Sequence, residues 1–280
     1  MKKLIIFLAV FLFANDFDKS FSSLIKDYKD SETKNNVEQI FSRNFALYPY
    51  KTNYLLPATW DFNKKSDRKE FETKFQISIM KPFARNLLGK NEIYFFAYTQ
   101  TSWWQTAAES APFRENNYEP EMFVMFPMES YHKRWDAIIF AIEHQSNGRD
   151  VPYSRSWNRI YTKFLFHYNQ VIFNLRAWYR IPEAKKKYPT DPNGDDNPDI
   201  EDYMGYGDLK IMYPYKDNLI TSLIRYNPST NKGAIEVDYS KPVRNRNLFL
   251  YMQYFYGYGE SLIDYNRKVN KIGIGFAYSR

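Results

Sequence analysis

The sequence predicts an all-β protein, a 12-stranded antiparallel transmembrane β-barrel. Three features lead to this prediction: long runs rich in Tyr, Phe, Ile and Val, alternating polarity within those runs, and connections that alternate in length. Aromatic residues make up 19% of the 280 residues, and only 10 glycines are present. This composition excludes a disordered or low-complexity chain.

The chain begins with a segment typical of a secretory signal. Lysines at positions 2 and 3 precede an apolar stretch that ends at Phe13, and cleavage is expected after Ala14. The stretch has about half of the ~20 residues that a membrane-spanning helix needs. We therefore predict three parts: a signal peptide over residues 1–14, an N-terminal periplasmic segment over 15–52, and the barrel over 53–280.

Composition also limits the partners. The net charge is +7 without a block of like charge, which suits anionic lipid headgroups and a basic soluble surface about equally. No nucleic-acid-binding motif accompanies the Lys and Arg residues, so no nucleic-acid partner is expected. Cysteine is absent, which excludes a disulfide framework, a cysteine nucleophile and a thiolate metal site.

Twelve runs follow residue 53 and are separated by turn-like segments. They cover residues 53–61, 69–82, 91–103, 118–128, 133–146, 157–168, 170–182, 203–214, 218–227, 232–240, 246–257 and 268–279. Soluble strands commonly have about five or six residues, whereas a tilted strand needs ~9–11 to cross a bilayer. The lengths of the runs therefore favour transmembrane strands.

Side chains alternate within many runs. In the last run one face carries Ile272, Ile274, Phe276 and Tyr278, and the other carries Lys271, Gly273, Gly275 and Ala277. An apolar outside and a polar inside are what a transmembrane barrel requires. A soluble β-sandwich with one aromatic core is the alternative.

The connections alternate as a barrel with both termini in the periplasm requires. Long segments near 104–117, 147–156, 183–202 and 258–267 would lie outside, and short ones near 169, 215–217 and 241–245 would lie in the periplasm. Two connections fit less well, because 228–231 is short for an outer loop and 83–90 is long for a periplasmic turn.

A histidine and a serine lie two residues apart at the end of the fifth run. Residues spaced by two share one face of a strand, and parity places His144, Ser146 and Asn158 on the apolar, outward face. A hairpin centred near residue 151 would put Asn158 opposite His144. Ser146 would then attack an acyl carbonyl, His144 would take its proton, and Asn158 would hold the imidazole tautomer.

Two further points concern this site. The Gly148 N–H is the nearest candidate to stabilise the oxyanion. A neutral amide suits the lipid boundary, since an unpaired carboxylate there would cost several kcal/mol to desolvate. A His-x-Ser pair alone is a weak signal, however, and most such pairs are incidental. Residues 191–202 are rich in acidic and amide side chains, which indicates a solvated outer loop with weak cation binding.

Several long stretches resemble the outer-membrane phospholipase A family of Gram-negative bacteria. They are residues 48–55, 98–100, 112–120, 144–158, 195–200 and 256–266, and the resemblance covers nearly the whole mature chain. It implies a twelve-stranded barrel with a lipid-facing triad of Ser146, His144 and Asn158. It further implies a calcium-dependent homodimer that hydrolyses ester bonds at the first and second acyl positions of phospholipids and lysophospholipids.

The resemblance also implies ligands for calcium beside the oxyanion hole. They are the Arg149 carbonyl, the Ser154 hydroxyl and Ser110 from the partner subunit; oxygen ligands suit this hard cation. A calcium-bound water would then join Gly148 at the oxyanion. A second calcium position, used by the monomer, falls on Asp196. The family's second carboxylate there is displaced in this chain, which has a valine at the matching position 151 and an aspartate one residue earlier.

One more residue carried over by resemblance is Gln100, which matches a family glutamine that hydrogen-bonds across the dimer within the membrane. The sequence as a whole predicts a calcium-dependent phospholipase of the bacterial outer membrane, with its active site toward the outer leaflet and activated by dimerisation. The alternatives are a non-catalytic porin or adhesin barrel and a lipopolysaccharide deacylase.

Overall fold

The computed structural model describes residues 47–63, 68–128, 135–188, 190–243 and 248–280. The predicted signal peptide and positions 15–46 of the predicted periplasmic segment lie outside the described residues. All the strands described below belong to one compact unit, Tyr48–Arg280. In the described part of the chain, no helix is long and apolar enough to cross a membrane.

Thirteen strands and one short helix account for the regular structure of the described residues. The strands are β1 (Tyr48–Pro49), β2 (Asn53–Asp61), β3 (Phe71–Arg85), β4 (Ile93–Trp104), β5 (Phe113–Pro127), β6 (Trp135–Ser146), β7 (Ser156–Tyr168), β8 (Val171–Ile181), β9 (Gly207–Tyr215), β10 (Asn218–Asn227), β11 (Lys232–Val243), β12 (Leu248–Gly257) and β13 (Val269–Ser279), and the helix is α1 (Ile200–Met204).

Strands β2 to β13 form a closed ring in which every neighbouring pair is antiparallel. The ring closes where β13 pairs with β2. The two-residue strand β1 pairs with β3 beyond the point where β2 leaves it. The predicted 12-stranded antiparallel barrel is therefore confirmed, and closure gives each of the described strands β2 to β13 a neighbour on both sides.

Several strand boundaries differ from the prediction. Strand β5 begins five residues early at Phe113, whose ring stacks on Trp104 with centroids 5.3 Å apart. The polar residues that follow resemble a loop in sequence, but Glu115 and Asn117 point into the barrel and are hydrogen-bonded to each other at 2.8 Å. Residues 203–204 belong to α1 instead of β9, and β11 continues to residue 243.

The outer face of the barrel is apolar, as the alternation predicted. Along β13, Ile272, Ile274 and Phe276 are exposed, while Lys271 and Ala277 are buried. The inner face is less purely polar than expected, because aromatic rings fill part of it. The Phe95 and Phe123 rings stack at 4.9 Å, and the Arg159 guanidinium lies 3.9 Å from the centre of the Trp157 ring. Cation–π contacts of this kind let charged and aromatic side chains share the barrel interior.

The connection between β12 and β13, residues 258–268, folds back across the barrel mouth. The Leu262 and Tyr265 side chains are buried. The Leu262 N–H donates to Asn117 Oδ1 at 2.9 Å, and the Trp103 indole N–H donates to Glu260 Oε1 at 2.7 Å. The loop is therefore attached to strands β4 and β5 as well as to its own hairpin.

Candidate active site

The β6–β7 hairpin brings His144 and Asn158 together. They are directly paired in the register, as the sequence predicted, and His144 Nδ1 lies 2.8 Å from Asn158 Oδ1. An amide oxygen can only accept, so the hydrogen bond assigns the proton to Nδ1 of the ring. The lone pair of His144 is then on Nε2, where a base needs it.

Ser146 ends β6 on the same face as His144, and both side chains are half-buried. Their neighbours on this face are exposed apolar residues: Phe140 at 49%, Ile142 at 48% and Ile160 at 51%. Within the described residues, no hydrogen bond joins the Ser146 hydroxyl to the His144 ring. Bonds of this kind often tighten only when substrate is in place. The exposed apolar neighbours show that the His144 and Ser146 side chains lie at the edge of the apolar outer surface.

The loop after Ser146 is organised by Asn147, which the sequence analysis did not single out. The Asn147 side chain is buried, accepts from the Arg155 N–H at 2.9 Å and donates to the Tyr153 carbonyl at 2.9 Å. Its backbone N–H also donates to the Arg155 carbonyl at 3.0 Å. Its position directly after the strand that carries the candidate nucleophile was a signal that Asn147 could organise the loop.

Gly148 lies in this loop with a left-handed backbone, at φ +62°. A Cβ atom here would approach the Tyr118 ring to 3.0 Å, so the position favours glycine on two grounds. The Gly148 N–H has no acceptor among the residues that the structure describes. It is therefore free to donate to an oxygen bound next to Ser146.

The residues predicted to bind calcium occupy three connections at the same end of the barrel. The Ser154 hydroxyl donates to Asp196 Oδ2 at 2.5 Å, and Lys186 Nζ lies 2.5 Å from Asp196 Oδ1. The Arg149 carbonyl has no donor within the described ranges. Ser110 is exposed in the β4–β5 connection with φ +60°. Among the described residues, no cluster of three or more His, Cys, Asp or Glu side chains could hold a metal ion.

A glutamate beyond β8 was missed by the sequence analysis. The Asn158 side-chain N–H donates to Glu183 Oε1 at 3.3 Å. Asn158 pairs with Ile181, and Tyr179 on the same strand is exposed on the outer face. Counting on in steps of two leads to Glu183, so the alternation of β8 contained the signal.

Gln100 lies on the outer face of β4 and has partners within its own chain. Its Oε1 accepts from the Tyr98 hydroxyl at 3.1 Å, and its Nε2 donates to Ser102 Oγ at 3.2 Å. An amide group can form up to four hydrogen bonds. With these partners among the described residues, one N–H and one lone pair remain for a group outside the chain.

A family model described as Phospholipase A1 matches residues 30–278. Phospholipase A1 of Escherichia coli K12 is 39% identical over 253 residues, which are 86% of this chain and 84% of that protein. The Salmonella typhimurium phospholipase A1 is 40% identical over the same shares of the two chains.

Solved structures agree with the sequence comparison. The outer membrane phospholipase of Salmonella typhi, solved as a dimer with bound calcium, superimposes with a TM-score of 0.76 at 38% identity. The match covers 85% of this chain and 94% of that one. Outer membrane phospholipase A from Escherichia coli gives the same TM-score and identity, over 84% of this chain and 99% of that one. The chain belongs to the phospholipase A1 family of outer-membrane enzymes.

Proposed function

We propose that this outer-membrane phospholipase hydrolyses acyl ester bonds of phospholipids and lysophospholipids through Ser146, His144 and Asn158, with calcium and as a homodimer. The observation that carries the proposal is the 2.8 Å hydrogen bond between His144 and Asn158 on the apolar outer face. It leaves a basic nitrogen beside a serine that a membrane lipid reaches without entering the barrel.

The proposed reaction has two halves. Ser146 Oγ attacks the ester carbonyl while His144 Nε2 accepts the hydroxyl proton, and the Gly148 N–H donates to the oxyanion. Collapse breaks the ester bond and His144 returns the proton to the departing glycerol oxygen. A water molecule then attacks the acyl-enzyme by the same route and releases the fatty acid. Asn158 holds the ring orientation throughout.

The residues beside this site fit calcium in chemistry. Because the Ser154 hydroxyl donates its hydrogen to Asp196, its oxygen lone pairs remain available to a cation. The Arg149 carbonyl would be a second ligand and Ser110 of the partner subunit a third, all of them oxygen atoms. Bound calcium would supply positive charge near the developing oxyanion.

The second calcium site, predicted at Asp196, stays a prediction. Both carboxylate oxygens of Asp196 already have partners, since Lys186 and Ser154 each lie 2.5 Å away. A cation bound directly to Asp196 would compete with the Lys186 ammonium. In this chain the lysine itself balances the charge of Asp196.

Dimerisation would complete the site, because Ser110 of the partner subunit is one proposed ligand. The free N–H and lone pair of Gln100 suit a hydrogen bond to a second copy at the apolar outer surface, where a polar partner is scarce. We place the site toward the outer leaflet, since the loop after Ser146 lies at the barrel end that bears the long connections. An enzyme that always contacts lipid would thus act only when two copies meet.

Hydrolysis in detergent micelles tests the proposal. We expect Ser146→Ala to lower phospholipid turnover at least ~10³-fold, and removal of calcium with a chelator to stop wild-type turnover. Ser156→Ala is the matched control, because Ser156 faces Ser146 across the hairpin. Full turnover by Ser146→Ala, or turnover unaffected by chelation, would contradict the proposal. Preference for lipid A over phospholipid in a competition assay would show that the substrate class is wrong.

A further inference from the structure

The Asn158 amide lies between two different partners. Its Oδ1 meets His144 Nδ1 at 2.8 Å, and its Nδ2 meets Glu183 Oε1 at 3.3 Å. A carboxylate can only accept, so it attracts the NH₂ end of the amide and repels the oxygen end. The reversed amide would direct its oxygen at Glu183 and its NH₂ group at His144.

The orientation of this amide fixes the state of the histidine. With Oδ1 toward the ring, His144 Nδ1 carries the proton and Nε2 is a base. In the reversed orientation the NH₂ group would favour a lone pair on Nδ1, and the proton would move to Nε2. His144 could then no longer take the proton of Ser146. An aspartate side chain ends in two equivalent oxygens, whereas an asparagine side chain ends in one oxygen and one NH₂ group. A neighbouring residue must therefore select the orientation of the asparagine amide.

We propose that Glu183 is a positioning residue that locks the Asn158 amide in the orientation required for His144 to act as a base. The inference rests on the proposed function of Ser146, His144 and Asn158. Glu183 does not touch the reacting atoms and acts through Asn158 alone. A hydrogen bond to a charged acceptor is also about twice as strong as a neutral one, which suits this task.

The surroundings of Glu183 add a dependence on pH. Burial raises the pKa of Glu183, and the carboxylates of Asp195 and Asp196 raise it further, against the lowering effects of Arg180 and of the hydrogen bond from Asn158. Below that pKa the protonated carboxyl could donate to Asn158 Oδ1 and permit the reversed amide. Turnover should therefore require an ionised Glu183 as well as a neutral His144.

Steady-state kinetics of Glu183→Gln in micelles test the proposal. Glutamine keeps the size of the side chain but can donate or accept, so it no longer selects one amide orientation. We expect kcat to fall about tenfold, with KM within about twofold. The acid limb of kcat should become shallower, since the side chain at position 183 no longer has to lose a proton. Glu183→Asp keeps the charge and should retain more turnover than Glu183→Gln.

The matched control is Glu201→Gln on α1. Glu201 is also half-buried with a raised pKa caused first by burial, and no side-chain hydrogen bond of its carboxylate is present among the described residues. Its replacement should leave kcat and the acid limb unchanged. A loss in Glu183→Gln that Glu201→Gln shares would overturn the proposal.

In a second variant, Asn158→Asp, the expected effect of Glu183→Gln on turnover has the opposite sign. In Asn158→Asp two carboxylates meet, so Glu183 becomes unfavourable and Glu183→Gln should increase turnover severalfold by donating to the new aspartate. A purely structural role for Glu183 would lower turnover in both backgrounds. A loss in both, or no effect in either, would overturn the proposal. Full turnover by Ser146→Ala would instead show that the proposed function itself is wrong.

Discussion

Gly148 shows how one residue can combine a backbone and a packing requirement. Its φ of +62° suits glycine, and a methyl group added to its Cα would approach the Tyr118 ring to 3.0 Å, so the ring would have to shift. The N–H of the same residue has no acceptor among the described residues. Replacing it should therefore displace the donor without removing it.

We expect Gly148→Ala to lower kcat by about tenfold or more, less than the ~10²–10³ that follows removal of an oxyanion donor. The physical reason is strain of about 1–2 kcal/mol in the left-handed backbone, added to the 3.0 Å contact with Tyr118. The control is Gly89→Ala in the β3–β4 turn at the other end of the barrel. Gly89 has φ +71° but no atom within 4 Å of an added Cβ. Equal kcat in wild type and Gly148→Ala would refute the expectation.

At the residue scale, parity along two strands was sufficient to predict which side chains share a face. His144 and Asn158 are paired because a hairpin fixes its register at the turn, and sequence spacing determines that register. Glu183 and Asn147 were missed for a different reason. Each lies just beyond the end of a strand: the alternation of β8 continues as far as Glu183 but was not followed past the predicted strand, whereas the path of the loop decides the contacts of Asn147.

At the scale of elements, the 258–268 loop is attached to the barrel by buried ion pairs. Asp264 lies 2.6 Å from Arg68 and 2.7 Å from Arg114, and Glu260 lies 2.9 Å from Lys271. Burial opposes ionisation of Asp264, but the hydrogen bond from Arg68 and the nearby arginines lower its pKa to about 2. Burial likewise opposes ionisation of Glu260, whose pKa is lowered to about 2 by Lys271 and the other cations.

Acid should release this loop. Carboxyl groups with a lowered pKa in the folded state stabilise it above their unfolded pKa of about 4, and this contribution is lost as the pH falls toward 2. We expect pepsin to cleave at Leu262 and Tyr265 in this range and not above it. Arg68→Gln removes a partner of Asp264 and should move the midpoint to higher pH, whereas Arg85→Gln, exposed at the opposite end, should not. Identical midpoints for wild type and Arg68→Gln would disprove this.

Element boundaries were predictable where residue type and side-chain direction agree. Strands β2 and β10 begin and end as the runs predicted, where exposed apolar residues such as Trp60 in β2 and Ile220 and Ile224 in β10 mark the outer face. Strand β5 does not, since Glu115 and Asn117 at its start satisfy their polar groups inside the barrel. A polar run therefore indicates a loop only in a fold whose interior cannot satisfy polar side chains by hydrogen bonds.

At the scale of the whole molecule, buried charged and aromatic side chains of the described residues occupy much of the interior of the closed ring. Lys74, Glu72 and Lys271 are each at most 5% exposed, and Lys74 and Lys271 form ion pairs with Glu260 of the 258–268 loop at 3.3 and 2.9 Å. A cavity of about 290 Å³ remains inside, lined by charged and aromatic side chains. The twelve strands thus form a closed wall whose outer surface carries the candidate site.

This arrangement distinguishes the chain from a porin. We expect the purified protein to show no open-channel conductance steps in planar lipid bilayers, because ion-paired side chains and the inward-folded loop fill the interior. A general porin measured in the same bilayers is the positive control. Stable conductance steps from the wild-type chain would favour the alternative of a non-catalytic pore.

The outward direction of His144 and Ser146 determines which measure of substrate concentration controls the rate. Molecules that approach such a site diffuse in two dimensions, within the lipid layer that surrounds the protein. The quantity that determines saturation of the enzyme is then the mole fraction of substrate in that lipid layer, not its concentration in the surrounding solution. Diluting a micelle with inert detergent at constant bulk substrate should slow turnover as effectively as removing substrate.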